Sequence, residues 1–296
     1  AASGADNWDD RSYMPYYKDA PWFEDGAEAS VPEDFYSSRF IVDTAIRYLD
    51  ATDEDKPFFA YIPFQAVHIP VQAPQEFVDH YKGRYDAGWE ALRNERHARA
   101  QALGLIPQGA PLAALPPDFR RWNSLSPKDR ALYAARMEVN AAMLEAMDFH
   151  IGRLIAHLKA KGEYDNTIFV VSSDNGPEPS RGDDSASLAA YHRLTGYDVA
   201  PVTMGGPGFW GFIGPEWAAA AATPGAWFKF YATEGGIRVP LIVAGPGVAP
   251  QRIASPAMIT DLAPTLLDWL KVDPGAIPGK PMTGRSLLPV LGGKVT

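Results

Sequence analysis

Asp174 and Asn175 place a carboxylate beside an amide oxygen, two hard donors of the kind that Ca²⁺ or Mg²⁺ takes. Gly176 follows them and lets a backbone turn sharply enough for both to face one ion. Asp-Asn-Gly is also an ordinary turn sequence, so the tripeptide alone leaves both readings open. His68 stands in a proline-rich stretch, where a histidine is either a hydrogen-bonded structural group or a carrier of protons. Lys229 lies between Phe228 and Phe230, where its stem can snorkel out of an apolar strand. Glu234-Gly235-Gly236-Ile237-Arg238-Val239-Pro240 sets two glycines before an apolar run, the pattern of a tight turn ahead of a strand.

These residues need elements to hold them. Residues 1–33 are rich in Asp, Pro, Tyr and Gly without sustained period and are expected as an irregular segment, with residues 34–296 forming one α/β body. Pro32-Glu33-Asp34 opens a helix whose apolar positions Phe40, Ile41, Ala45, Tyr48 and Leu49 recur at helical spacing. Phe58 to Ile62 reads as a buried strand, and Pro63, Pro70 and Pro74 then put His68 in a loop past its carboxyl end. Residues 76–100 read as a charged surface helix, and Leu105 to Phe119 as a surface excursion.

Ser126-Pro127-Lys128-Asp129 is a helix start, and Leu132, Met143, Leu144, Met147, Ile151, Leu154, Ile155 and Leu158 form the stripe that follows, up to a stop at Gly162. Thr167 to Val171 is the continuous run of a strand covered on both faces, and Ser173-Asp174-Asn175-Gly176 comes directly after it. A further strand, Val239 to Ala244, precedes a helix signalled by Thr260 to Thr265. Strands alternating with helices predict an α/β layered domain with a mostly parallel sheet, whose ligands bind beyond the strands' carboxyl ends.

Composition narrows the partners. The formal net charge of −9 argues against a phosphate-backbone grip on nucleic acid. Nearly half of the 296 residues are apolar, enough for a sizeable core, and 8 Trp, 13 Tyr and 14 Phe are material for a pocket. With no cysteine there is no disulfide, thiolate metal site or Cys nucleophile in these residues, and periplasm and cytoplasm stay equally open. No run reaches the roughly 20 apolar residues of a membrane span. A start in Ala1-Ala2-Ser3-Gly4-Ala5-Asp6, polar and without Met, is expected of a processed or truncated piece.

Taken in order, the blocks resemble the formylglycine-dependent (type I) sulfatases, in particular the bacterial arylsulfatase branch, within the alkaline-phosphatase-like fold. Lys56-Pro57-Phe58-Phe59-Ala60-Tyr61 leading to Val67-His68-Ile69-Pro70-Val71-Gln72-Ala73-Pro74 is similar to the family's strand and histidine loop. Ser173-Asp174-Asn175-Gly176 is similar to its second calcium motif, and Lys229 with Glu234 to Pro240 to its lysine and EGGIRVP-type segment. Asp261 to Leu267 and Gly284-Arg285-Ser286-Leu287-Leu288-Pro289 extend the likeness. The resemblance implies Asp174 and Asn175 as Ca²⁺ ligands, His68 and Lys229 as catalytic groups at the sulfate and leaving oxygen, and a small-molecule sulfate ester as substrate.

It also shows what these residues lack. The family's nucleophile is a formylglycine made from Cys or Ser in a C/S-x-P-S-R motif, and Pro177-Glu178-Pro179-Ser180-Arg181 has that motif's tail but Pro where the convertible residue belongs. Neither Ser180 nor Arg181 is assigned a catalytic role. The family's first Asp-Asp ligand pair, its G-K-x-H segment and its small C-terminal subdomain have no counterpart, since Asp9-Asp10 follows no buried strand. The chain is expected to be one incomplete catalytic domain, inactive and weak in calcium by itself, with the remaining machinery in an N-terminal segment or a partner chain. A gap in the sheet should expose strand edges and apolar surface. The alternatives are a non-catalytic binding protein on the same fold and a phosphonate or phosphate monoester hydrolase.

Overall fold

The computed structural model describes residues 6–12, 14, 20–52, 56–181, 185–200 and 202–292; the expected polar start at 1–5 lies outside them. From the amino end the described chain forms a hairpin, β1 (Trp22–Glu24) with β2 (Ala27–Ala29), paired antiparallel with Trp22 opposite Ala29. Asp25 and Gly26, at φ 51° and 82°, supply the two left-handed positions of the tight turn. An Asp-Gly pair is a hairpin signal, and the irregular segment expected over 1–33 is corrected there.

The chain separates into two compact units, residues 1–160 with 174–239 and residues 161–173 with 240–296. In the first, α1 (Ser37–Ala51), α2 (Gln75–Val78), α3 (Gly88–Ala102), α4 (Pro127–Ala160), α5 (Ala186–Leu194), α6 (Gly214–Ala222) and α7 (Glu234–Ile237) supply the body. The side chain of Ser126 accepts a hydrogen bond from the Asp129 N–H at 3.1 Å, which makes it the cap expected for α4. The interior of α4 is buried on more than one face, through Tyr133, Arg136, Met137, Val139, Met143 and His150, while Leu144 of the predicted stripe is exposed. A helix crossing the middle of a unit buries residues that a single amphipathic stripe does not include.

The charged stretch 76–100 is not one surface helix. It divides into α2, a short 3₁₀ turn at Asp79–Tyr81, and α3, and α3 buries Trp89 and Arg93. Gly88, at φ 84°, starts α3 hard against an indole: a Cβ there would lie 2.2 Å from Cγ of Trp122. Trp89 packs edge-on against Trp122 and Trp217 at 4.8 and 5.6 Å, joining α3 to α6 in the main core. Glu216 on α6 is wholly buried and takes both Nε and Nη2 of Arg120 at 2.9 and 3.0 Å, with Arg181 Nη2 at 2.6 Å.

In the second unit β3 (Phe169–Ser172) pairs with β4 (Leu241–Ala244), followed by α8 (Leu262–Leu270) and α9 (Leu288–Leu291). The pairing is antiparallel, Phe169 opposite Ala244 and Ser172 opposite Leu241. Both sheets among the described residues are therefore antiparallel, and the mostly parallel pairing expected from the apolar runs is corrected. A run of β-branched residues sets an extended backbone, but its direction relative to a neighbour depends on which segment lies beside it. Phe58 to Tyr61 adopt no strand, and Phe59 and Tyr61 remain 83% and 81% exposed. Val171 and Ile242 are exposed as well.

Two sequence blocks meet in this unit. Asp261 accepts from the backbone N–H of Met258 at 2.8 Å and of Arg285 at 3.0 Å, bonds that hold its carboxyl below the usual range. The side-chain oxygen of Thr265 accepts from the Leu287 N–H at 2.8 Å, and a Cβ on Gly284 would sit 1.9 Å from the Thr260 carbonyl oxygen. Glycine at 284 is what lets the two segments touch.

Candidate active site

The first unit knots two loops together through glycine. The Gly176 N–H donates to the Gly236 carbonyl at 2.8 Å, the Lys229 N–H to that of Pro177 at 3.1 Å, and the Gly235 N–H to that of Ala226 at 2.9 Å. A Cβ on Gly176 would stand 1.9 Å from the Gly235 oxygen, one on Gly235 2.0 Å from the Trp227 oxygen, and one on Gly236 2.0 Å from the Tyr231 oxygen. Backbone approaches backbone too closely for any side chain. Gly176 is absent from the positive-φ positions, so its role is this approach and not the sharp turn inferred from the tripeptide. The two glycines of 233–240 likewise lie in α7, not in a tight turn.

This knot presents Lys229 from a turn, not from a strand. Trp227 and Phe230, at φ 61° and 79°, flank it in the left-handed region that bulky residues rarely enter, a strain of about 1–3 kcal/mol each that surrounding bonds must offset. The Tyr231 N–H to Phe228 carbonyl bond at 3.2 Å and the Thr233 hydroxyl to Ala226 carbonyl bond at 2.8 Å close the turn. Strain of this kind clusters where a side chain must be held in one place.

Lys229 Nζ lies 3.1 Å from Nε2 of His68, a residue 161 positions away, and donates to Oε2 of Glu178 at 2.5 Å. Two of the residues singled out in the sequence are thereby brought together. Nδ1 of His68 is 2.8 Å from the Ile69 carbonyl, which can only accept, so that contact is made by an Nδ1–H. Nε2 faces the Lys229 ammonium. Glu178 Oε2 stands 3.6 Å from that same nitrogen.

Glu178 was not singled out in the sequence, where it belongs to the misleading Pro177-to-Arg181 segment. Its side chain is only 9% exposed, and its other oxygen accepts from both the N–H and the hydroxyl of Ser180. Burial alone would raise this carboxyl, but the bonds from Lys229 and Ser180 outweigh it and hold the group ionised below the usual range. The one available signal was an acidic residue four positions after Asp174 in the same loop. Arg181 turns instead to the buried Glu216.

Asp174 and Asn175 immediately precede the knot at Gly176. Asp174 is exposed and its carboxylate has no hydrogen bond to another described residue, while Asn175 is partly buried. An open carboxylate next to an amide oxygen has the donor chemistry that Ca²⁺ accepts, though two donors are far fewer than its usual six to eight. Among the described residues no group of three or more His, Cys, Asp or Glu is arranged to hold a metal ion.

Comparison with known proteins identifies the family of the chain. Residues 2–272 match the family model described as Sulfatase. The chain is 34% identical over 271 residues to an arylsulfatase of Klebsiella aerogenes, covering 90% of this chain and 57% of that protein. It is 36% identical over 261 residues to an uncharacterized sulfatase of Schizosaccharomyces pombe, covering 86% of this chain and 46% of that protein. The chain thus spans about half the length of the curated relatives it matches. Its fold is similar to that of yidJ from Bacteroides fragilis, described as a sulfatase, with a TM-score of 0.54 at 21% identity over 92% of this chain and 44% of that one. The sulfatase fold read from the ordered motifs is borne out.

Proposed function

The chain belongs to the sulfatase family, and from that premise we propose that it carries the leaving-group side of a site that hydrolyses sulfate esters to an alcohol or phenol and sulfate. The observation that supports this most directly is the contact of Lys229 Nζ with His68 Nε2 at 3.1 Å. Cleavage of the S–O bond puts negative charge on the departing oxygen, so a cation fixed at that point stabilises the transition state more than the ground state. Lys229 supplies that charge. His68 presents Nε2 to Lys229, where it can take a proton from the neighbouring ammonium or from water and pass it to the leaving oxygen. Glu178 positions Lys229 and balances its charge until an anionic ester takes part of that role.

Asp174 and Asn175 would hold Ca²⁺ together with ligands from elsewhere; when bound, the ion draws charge from sulfate oxygen. The nucleophile is a formylglycine that these residues do not encode, since the chain has no cysteine and no C/S-x-P-S-R motif. By itself the chain is therefore inactive and weak in calcium. Hydrolysis of 4-nitrophenyl sulfate by the purified 296-residue chain, lost in His68→Ala, would overturn the inactivity. Calorimetric titration that gave micromolar or tighter calcium binding would overturn the second claim.

The function itself is tested in a polypeptide that joins this chain to a family segment bearing formylglycine. Turnover of the aryl sulfate is expected, with Lys229→Ala lowering kcat by about a hundredfold or more. Turnover indifferent to the loss of both Lys229 and His68 would sink the reading.

A further inference from the structure

Trp227 and Phe228 precede Lys229 directly, yet they serve a different space. They line a cavity of about 500 Å³ in the first unit, and none of His68, Glu178, Lys229, Asp174 or Asn175 is among its lining residues. That volume lies within the range of small-molecule sites. Phe119 stacks on Phe228 at 6.1 Å with the rings 15° apart and meets Trp227 edge-on at 6.3 Å, so the wall is built from faces and edges of aromatic rings. Much of the remaining lining is alanine and proline.

One cation breaks this apolar lining. Arg93 of α3 lines the cavity and is only 8% exposed. Its Nη2 donates to the Ala113 carbonyl at 2.6 Å, while its Nε is closed to solvent and has no partner. A guanidinium has five N–H donors, and a buried one is ordinarily paired with a carboxylate. Among the described residues no carboxylate lies within ion-pair distance of Arg93, and Glu90, one turn earlier, acts on it only through space. The single acid in the lining, Asp118, is exposed and screened by water.

We propose that this cavity is a second small-molecule site, which takes an organic anion: a flat apolar body against Phe119, Trp227 and Phe228, with a carboxylate or sulfonate on Arg93. The charge meets a cavity-lining guanidinium that has no carboxylate partner among the described residues, and the apolar body covers the rings. The site does not depend on the sulfatase reading, because it uses none of those residues.

The test is calorimetric titration of the full chain with 2-naphthoate, and with 2-naphthylmethanol as its uncharged counterpart. Saturable binding of the acid is expected, with the alcohol at least about tenfold weaker. Arg93→Leu should weaken naphthoate by at least about tenfold, and Ala114→Trp, a change at an exposed lining position, should block it by filling the space. Lys229→Ala should leave it unchanged. Absence of saturable binding, affinity untouched by Ala114→Trp, or affinity lost in Lys229→Ala would each overturn the proposal. Should Arg93→Leu fail to fold, the Ala114→Trp result decides.

Discussion

Lys229 donates to Glu178 at 2.5 Å across 51 residues of chain, so the cation of the candidate site already has an anion of its own. The pair is mostly buried, with side chains 19% and 9% exposed, and its attraction is only weakly screened. A sulfate ester brings one negative charge to this place, and a phosphate monoester near neutral pH brings close to two.

Glu178→Gln is therefore expected to favour the more highly charged ligand. In binding competition at low salt, the affinity for 4-nitrophenyl phosphate should rise by more than that for 4-nitrophenyl sulfate, by about threefold to tenfold in the ratio. An unchanged ratio would mean that the Glu178 charge does not reach the bound anion.

The glycine knot should be intolerant of a single methyl group. Gly235→Ala puts a carbon where the Trp227 oxygen lies 2.0 Å away, and relief requires moving backbone, at a cost of about 1–3 kcal/mol or more. Urea unfolding followed by tryptophan fluorescence should show a lower midpoint, and the same should hold for Gly176→Ala. Gly152→Ala, at a glycine that likewise lacks a positive φ but meets nothing within 4 Å, should leave the midpoint unlowered, which would assign the loss to crowding.

Removing the Arg120 side chain strips the buried Glu216 of its two-pronged partner and leaves it Arg181 and the backbone N–H of residue 120. Arg120→Met is expected to cost about 3 kcal/mol in the unfolding free energy. Burial by itself would raise the Glu216 carboxyl, but Arg120 and Arg181 outweigh it and hold it below the usual range. Its folded value is thus below its unfolded one, so the stabilisation is complete above the ordinary glutamate range and is lost as pH falls through the folded value. In Arg120→Met this acid dependence should become shallower. A midpoint in urea equal to that of the parent chain would refute the assignment.

His150 works in a nearby pH window by a different route. Burial, the charge of Arg153 and, less strongly, that of Arg39 push it down to about 4 from 6.5, against an opposing pull from Asp43. Arg153 Nη1 donates to its Nδ1 at 3.1 Å, a bond that needs the neutral ring. The unfolded chain therefore binds more protons between about 6.5 and 4, and folding stability should decline as pH falls through that window. Unfolding free energies at pH 7 and pH 4.5 should differ less in His150→Gln than in the parent; an equal difference would exclude His150 as the source.

The sequence by itself determined which residues are available and much of the local structure. Ser126 caps α4, Asp174 follows β3 within two positions, and His68 and Lys229 carry side-chain types that chemistry can use, because capping and donor chemistry are properties of single residues and near neighbours. Tertiary structure alone decided the rest. Strand direction at β3 and β4, the pairing of Lys229 with His68, and the place of Glu178 between them all depend on segments far apart in the chain. Glu178 could not be read from its own surroundings, because the cation that makes it part of the site is 51 residues away and reaches it only through a backbone approach that three glycines allow.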